Sequence, residues 1–369
     1  MNAGAGRLAM GKQGQTTFSA SSGEASEKRG LSLFPPVRVA TEPWQNPVRA
    51  HHLLVLVFLI AFPIFATPFL TYQIGAQSLA FGLIALSLTF LGGYGGMISL
   101  AQMTVAGIAG YMLAIFGMSG EAALSLGWSW WIAVPIAILI AVIAGTGIGW
   151  LSVRTEGIYT IMITLAIGVA FYSLCLQNYS VFNGFQGFQR VYAPTVLGIN
   201  FREQTPFYYL VLACAFGGYF LVKYILRAPF GVALQGIRDN PRRMNALGFH
   251  VIAHRVAAYA VAAFIAAVGG VLLVWYNGLI TPNSVGTSWV INILIIAVLG
   301  GMRHPIGPFI GAVVFVLLQT FAIDLFDRER FNLVIGSVFL AIVLFSPDGL
   351  LGLWAAWKRK FLKPRGGIK

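Results

Sequence analysis

Charge is scarce in this chain. Of its 369 residues only 9% are Asp, Glu, Lys or Arg, whereas 58% are hydrophobic. A soluble domain covers its surface with about 25% charged residues. The low charge therefore excludes an ordinary soluble protein and predicts an integral membrane protein. Its apolar runs continue for about 20 residues instead of alternating over about 10, which indicates spanning helices and not a barrel.

Asp, Glu and His are missing from every apolar segment that the sequence predicts. The ten segments lie at about 53–72, 75–92, 97–118, 129–151, 157–179, 207–226, 256–276, 288–301, 305–323 and 332–347. Proton-coupled carriers need a buried ionisable group, although each costs at least about 2.5 kcal/mol at the bilayer centre. The absence argues against proton coupling. Sodium coupling through carbonyl and hydroxyl oxygens stays open.

Residue patterns of enzymes are also missing. Cys175 and Cys214 lie in apolar runs without metal or redox spacing, as packing residues do. His250 and His254 are four residues apart but have no third ligand nearby. The stretch "GRLAMGKQ" has phosphate-loop spacing, yet Gln13 stands where a Ser or Thr would bind magnesium. We predict no catalytic residue, no metal site and no cofactor bound to this chain.

Lys and Arg are distributed asymmetrically about the predicted spans. Ten spans place both termini on one side, and with cytoplasmic termini all but four of the 24 basic residues face the cytoplasm. The four exceptions are Arg190, Arg202, Arg328 and Arg330. The predicted fold is an all-α polytopic transmembrane bundle of about ten spans with cytoplasmic N- and C-termini. The charge is spread over the edges of the spans, which argues against nucleic-acid binding.

Three regions follow from this pattern. Residues 1–50 are rich in Gly, Ser, Ala and Pro and lack an apolar period, so we predict a disordered cytoplasmic tail. Residues 51–350 form the transmembrane domain, and 351–369 form a basic cytoplasmic tail.

The cytoplasmic loop 227–255 is long and basic. It contains turn-forming residues among its arginines, which predicts a turn, a short helix and a second turn. An anchor to anionic lipid needs only the charge, whereas this amount of structure favours a docking element. The residues expected to form its core are Arg238, Asp239, Asn240, Arg242, Arg243 and Gly248.

Two Leu-Gly-Gly runs, "LGGYGGMISLAQ" from Leu91 and "LGGMRHPIGP" from Leu299, predict broken helices. The breaks should be buried in protein or line a water-filled cavity, because lipid cannot satisfy the freed backbone groups. Their likeness reflects either a weak internal repeat or chance. The glycines expected at the breaks are Gly92, Gly93, Gly95, Gly96, Gly300 and Gly301.

A translocation path, if the chain has one, must be lined by neutral polar groups. The candidates are Ser99, Gln102, Thr104, Thr160 and Thr164. Each also suits an ordinary hydrogen bond between helices, worth about 0.6 kcal/mol. The outer loop Asn178–Ile199 alternates Gly with aromatic and amide residues. This loop either closes over the path or receives a docking partner, or it is only a packed loop.

Three runs together resemble one family. They are "GVALQGIRDNPRRMNALGFHVIAHR", "AVLGGMRHPIGPFIGAVVFVLLQ" and "VIGSVFLAIVLFSPDGLLGL". In order and spacing they are similar to the LivM-type permease subunit of branched-chain amino-acid ABC importers, over roughly residues 75–355. "RTEGIYTIMITLAIG" from Arg154 is similar as well.

The resemblance implies a transport role for the transmembrane domain. The chain would be a multi-pass permease subunit of a bacterial inner membrane that moves branched-chain or related amino acids by alternating access. It would pair with a second homologous permease, two cytoplasmic ATPases that hold ATP and magnesium, and a periplasmic substrate-binding protein. Loop 227–255 would be the coupling loop, with Arg238, Arg242 and Arg243 facing acidic residues of an ATPase groove.

Three alternatives remain at this stage. The same scaffold serves urea and short amides. A self-contained channel or a sodium-coupled carrier would need no ATPase. A membrane scaffold without transport activity would have no evident use for broken spans.

Overall fold

Helices make up most of the chain that the computed structural model describes. The described residues are 50–325 except 122, 156 and 197, together with 336–337, 340 and 349–352. All but Ala50 of the predicted tail 1–50, all but 351–352 of the predicted tail 351–369, and most of the tenth apolar segment lie outside these residues.

Twelve α-helices occur in residues 50–325. In chain order they are α1 (Ala50–Phe65), α2 (Gln77–Thr89), α3 (Gln102–Phe116), α4 (Trp130–Ser152), α5 (Ile158–Gln177), α6 (Tyr179–Phe182), α7 (Gln204–Arg227), α8 (Pro229–Asp239), α9 (Pro241–Ala246), α10 (Val251–Asn277), α11 (Thr287–Gly300) and α12 (Gly307–Leu325). Wider π-helical turns flank α2 at Leu70–Ala76 and Phe90–Tyr94. Short 3₁₀ turns lie at Gly184–Gln186 and Pro282–Val285.

Strands are few and short, and they pair in two places. Strand β1 (Phe188–Gln189) pairs antiparallel with β4 (Leu279–Ile280), so that Phe188 lies opposite Ile280. Strand β2 (Thr195–Val196) pairs with β3 (Ile199–Asn200) in a small hairpin. The first pair attaches the loop before α7 to the end of α10.

Five helical stretches are long and apolar enough to cross a membrane: Leu70–Tyr94, α4, α5, α7 and α10. The apolar helices α3, α11 and Gly307–Phe321 within α12 are shorter. A helix needs about 20 residues to cross the hydrocarbon core, and each of these three is shorter. Helix α3 packs against the longer α10, and α11 and α12 pack against the stretch Leu70–Tyr94. The chain is a helical multi-pass protein, and the number of about ten spans stays a prediction.

Several segment boundaries differ from those predicted. The helix break between the first two apolar segments lies at 66–67, directly after α1, and not near 73–74. At the other end α12 extends to Leu325, so Asp324 lies in its last turn. Helix α10 begins at Val251 and places His254 in its first turn. Hydropathy alone missed these limits because a helix extends past its apolar stretch into the interface.

The stretch Leu70–Tyr94 is the centre of the bundle. Its most apolar 18-residue window is 94% buried, compared with 67% for α10 and only 28%, 22% and 22% for α4, α5 and α7. Helix α2 contacts α7, α10, α11 and α12. Helices α4, α5 and α7 therefore turn broad apolar faces outward, where lipid or another subunit can cover them.

Small residues let α4 approach α10 closely. The buried face of α4 repeats small residues every four positions. A Cβ at Gly149 would overlap Tyr259, and one at Gly145 would lie 2.5 Å from the Ala263 Cβ. Dispersion replaces the hydrophobic effect as the force between helices in lipid, so close backbone approach is the source of their affinity.

The two ends of the bundle differ in charge. We name one the basic end because it carries α8, α9 and the start of α10, and the other the strand end because it carries β1 and β4. Basic residues described at the basic end are Arg154, Lys223, Arg227, Arg238, Arg242, Arg243, Arg255 and Arg303. Those described at the strand end are Arg190 and Arg202. This asymmetry agrees with a cytoplasmic basic end, and the side on which the termini lie stays a prediction.

One packing arrangement occurs twice, in opposite directions. Helix α4 packs on α3 and α10, and α12 packs in the same way on α11 and α2. Because α2 runs toward the basic end and α10 runs away from it, the set α2–α3–α4 is inverted relative to α10–α11–α12. The break after α2 therefore corresponds to residues 278–286. The two similar Leu-Gly-Gly runs do not occupy equivalent places in this arrangement.

We expect Gly270→Ala in α10 to lower the stability of the bundle by about 1–3 kcal/mol, the usual cost of overpacking. Its Cβ would overlap the backbone carbonyl of Ala106 in α3, which cannot rotate away. Thermal unfolding of the purified protein in detergent measures the effect.

The matched control for Gly270→Ala is Gly217→Ala in α7. A Cβ at Gly217 meets nothing within 4 Å, and alanine favours a helix by up to about 1 kcal/mol. We expect this control to keep or raise the melting temperature. Equal loss in both variants would contradict the close approach of α3 and α10.

Candidate functional site

The basic end carries a folded helical hairpin, α8–α9. Proline occupies the first turn of each helix at Pro229 and Pro241, where its missing N–H costs nothing. The Asn240 side chain caps α9 by accepting the Arg243 N–H at 2.9 Å. The short helix predicted after Asp239 is confirmed, and the turn at Gly248 has a positive φ of 89°. Helix α8, however, was not predicted.

The hairpin is held firmly against the bundle. One face of α8 buries Ala233, Leu234 and Ile237. Helix α9 folds back so that the Met244 Sδ would lie 2.9 Å from a Cβ at Gly236. At its base His254 packs against two aromatic rings, Phe230 and Phe249, each with its centroid 5.8 Å away. The segment is therefore a folded helical hairpin and not an extended basic loop.

The three arginines of the predicted coupling loop divide into two groups. The Arg238 Nη1 donates to the Gly93 carbonyl at 2.7 Å, and its Nε donates to Asp239 Oδ1 at 2.9 Å. Arg238 is itself exposed, with 38% of its side chain accessible, as are Arg242 and Arg243 on α9, which buries no residue. Arg238 faces the bundle, and the other two remain available to a partner.

The chain between α2 and α3 forms a tight connection beneath the hairpin. Helical structure ends with Gly95 as the cap of the second π-helical turn and resumes at Gln102. Gly93 lies so close to the Met302 carbonyl that a Cβ would overlap it. The Tyr94 hydroxyl donates to the Arg303 carbonyl at 2.9 Å. These contacts join the end of α2 to the connection between α11 and α12.

The six glycines predicted at the breaks are not equally required. Gly96 and Gly301 have positive φ angles of 68° and 103°, which side chains disfavour. A Cβ at Gly300 would overlap the Gly307 carbonyl, whereas at Gly92 the nearest atom would be 3.5 Å away. A Cβ at Gly95 would lie 3.0 Å from the flexible end of Met97 and at ordinary contact distance, 3.8 Å, from Leu234.

The five path candidates are all buried, and most have partners within the chain. The Thr164 hydroxyl accepts the Leu100 N–H at 3.1 Å and donates to the Thr160 carbonyl at 2.9 Å. Gln102 accepts a hydrogen bond from Ser87 at 3.1 Å. These bonds join α2, the break and α5.

The remaining candidates also lie inside the protein. The Thr160 hydroxyl donates to the Thr155 carbonyl at 2.9 Å, and Ser99 accepts the Ala101 N–H at 3.4 Å. Thr104 is different because its hydroxyl is buried without a hydrogen-bond partner. It lies 2.9 Å from the position a Cβ would take at Gly168 of α5. Together the five mark the contact of the break and α3 with α5.

A small cavity lies further toward the strand end and does not include these five residues. Its volume is about 20 Å³ and its walls come from α3, α10 and the connection after α10. Such a volume holds about one water molecule, so it is too small for an amino acid. The five candidates themselves are buried.

The outer loop is partly packed, with buried residues alternating with exposed ones. Phe182, Phe188 and Val191 are buried, and the Val191 N–H donates to the Gly278 carbonyl at 2.9 Å. Phe185, however, is 73% exposed. The loop covers the strand end of α3 and α10 and leaves an aromatic tip accessible.

No three His, Cys, Asp or Glu side chains lie together as a potential metal site in the part of the chain that the structure describes. The polar groups at the break are hydroxyls, amides and backbone carbonyls.

The long apolar helices define a helical multi-pass membrane protein, and comparison identifies its family. Residues 70–343 match the family described as the permease component of branched-chain amino acid transport systems. The chain therefore belongs to that family, whose members are transport components and not enzymes.

Individual relatives agree with the family. The chain is 25% identical to the high-affinity branched-chain amino acid transport system permease protein LivM of Escherichia coli, over 80% of this chain and 74% of the relative. It is 26% identical to BraD of Pseudomonas aeruginosa, over 74% of this chain and 91% of the relative. It is 24% identical to LivH of Escherichia coli, also over 74% and 91%. No solved structure matches.

We expect Thr164→Val to destabilise the bundle by about 1–3 kcal/mol, because it leaves the buried Leu100 N–H without its acceptor while preserving the side-chain shape. Thr164→Ser keeps the hydroxyl and should retain most of that stability. Denaturation in detergent compares the two, and a Val variant as stable as the Ser variant would contradict the role of this bond.

Proposed function

We propose that this chain is the permease subunit of an ABC importer for branched-chain or related amino acids, in a bacterial inner membrane. Substrate reaches the strand end from a periplasmic binding protein. ATP and magnesium bind two partner ATPases, whose closure drives alternating access through the α8–α9 hairpin. The family membership of residues 70–343 is the observation that carries the proposal.

The α8–α9 hairpin is the expected contact with the ATPases. It is structured, lies at the basic end and exposes Arg242 and Arg243. Leu247 beside them is 67% exposed. A partner surface with acidic side chains around an apolar groove complements this combination of charge and apolar area.

An external energy source fits the composition of the spans. The predicted apolar segments contain no Asp, Glu or His, and Asp324 lies only in the last turn of α12. Lys223 lies near the basic end of α7, 5.6 Å from the Tyr219 ring centroid. The spans thus offer no ionisable pair at mid-membrane for a proton relay.

A second permease subunit is the expected neighbour in the membrane. Both LivM and LivH of Escherichia coli match this chain, so one organism contains two permease proteins of this kind. The weakly buried α4, α5 and α7 provide the apolar faces on which such a subunit can pack. The proposed path candidates at α3 and α5 lie next to one of those faces.

We predict that replacing both exposed arginines, Arg242→Glu and Arg243→Glu, will lower ATPase recovery at least about tenfold. Like charges across an interface repel, and tenfold corresponds to only about 1.4 kcal/mol. A pull-down from detergent-solubilised native membranes measures it, with equal amounts of permease verified in both samples.

The matched control is Arg202→Glu, an exposed arginine at the strand end, 3.8 Å from the Tyr192 ring centroid. It should leave ATPase recovery unchanged. If the wild type recovers no ATPase under conditions that preserve a known ABC importer, the proposal is wrong. Uptake of labelled leucine against labelled urea then separates the two substrate classes for a wild type that passes this test.

A further inference from the structure

Arg238 contacts the bundle in a way that the exposed arginines of α9 do not. We propose that Arg238 is a positioning residue through which displacement of the α8–α9 hairpin reaches the central stretch Leu70–Tyr94. The proposal rests on the proposed function, since it specifies the route from ATPase closure to the helices.

The hydrogen bond from Arg238 meets a backbone group that the helix itself leaves open. The last carbonyls of a helix have no N–H partner within it, and Gly93 lies one residue before the end of the second π-helical turn. The guanidinium lies 2.7 Å from that carbonyl. A cation at the negative end of a helix is stabilised by the helix dipole, and its hydrogen bond is charge-assisted.

Close packing surrounds the hydrogen bond between Arg238 and Gly93. A Cβ at Gly96 would lie 2.6 Å from the Arg238 Cγ, and one at Gly95 would lie 3.8 Å from a Leu234 methyl carbon. The backbone after α2 therefore lies directly against α8, without side chains between them. A shift of α8 must move this backbone or break the Arg238 bond, because a close-packed contact does not deform gradually.

Movement of the end of α2 in turn affects both broken connections. Gly93 touches the Met302 carbonyl, and Tyr94 donates to the Arg303 carbonyl at 2.9 Å. The central stretch contacts α7, α10, α11 and α12 along its length. One side chain thus links the hairpin to the break before α3, the connection before α12 and the core of the bundle.

The two arginine groups consequently have separable roles. Arg242 and Arg243 face outward and would hold the ATPase, while Arg238 faces inward and would transmit its movement. A defect in docking removes the ATPase from the complex. A defect in transmission leaves the ATPase bound but uncouples ATP hydrolysis from substrate uptake.

The test uses the complete transporter reconstituted in proteoliposomes, with Arg238→Gln and Arg238→Lys in this subunit. Bound ATPase, ATP hydrolysis and uptake of labelled substrate are measured on the same preparation. We expect unchanged ATPase content, uptake reduced roughly tenfold by the loss of a charge-assisted bond, and more ATP hydrolysed per substrate. Lysine should restore part of the uptake, because it keeps the charge but lacks the fork that serves Gly93 and Asp239 together.

Two further variants sharpen the result. Gly96→Ala changes the other partner of the same contact. Like the Arg238 variants, it should raise the amount of ATP hydrolysed per substrate moved. Gln235→Ala is the matched control on α8, because its amide donates to the Gly231 carbonyl of its own helix. This control should keep both the uptake and the ratio of the wild type.

Three results would overturn the role of Arg238. The first is that the Arg238 variants lose the ATPases, as the variant with both Arg242 and Arg243 replaced is expected to do. The second is that their uptake falls only in proportion to the amount of assembled complex. The third is that the ratio of ATP hydrolysis to uptake does not change. Failure of the proposed function is distinct, since the wild type itself would then show no ATP-dependent uptake.

Discussion

Backbone polar groups cannot remain unpaired in the hydrocarbon core, and this requirement shapes the whole molecule. It confines most of the described chain to helices, and it requires every break in the hydrocarbon core to be enclosed. The break after α2 satisfies the requirement with Arg238, which serves the Gly93 carbonyl, and with Thr164, which serves the Leu100 N–H. The same polar contacts that make a break tolerable also attach it to neighbouring elements, so stability and mechanical connection come from the same bonds.

The second feature that organises the structure is the close approach of glycines to neighbouring segments of the chain. Gly93 against Met302, Gly149 against Tyr259 and Gly300 against Gly307 each leave no room for a methyl group. These sites lie on the buried central stretch, on α4 and at the connection before α12. The first and third of these contacts join two backbones, and the second joins a backbone to the Tyr259 side chain, whereas α4, α5 and α7 present larger apolar side chains outward. A rigid interior with apolar outer faces suits a subunit that assembles with others inside a bilayer.

Hydropathy predicted most of the helices, because it depends on local composition, and the two glycine clusters lie in the connections after α2 and after α11. The inward orientation of Arg238 could not be predicted, since nothing in the run of arginines distinguishes it from Arg242 before α8 is placed. Helix α8 was missed because its apolar face is short and lies within a basic stretch. Thr164 was selected for its polarity, but its partner Leu100 is distant in sequence and offers only a backbone N–H.

The pairing of β1 with β4 has a consequence for assembly in the membrane. Phe188 and Ile280 meet across α7, α8, α9 and α10, so the loop before α7 has no partner strand while those helices are being synthesised. A chain made from its N-terminus therefore completes the strand end late, after α10 has been inserted. Until then Phe188 and Gln189 lack their partner strand, and the order of synthesis itself keeps this edge of the bundle open.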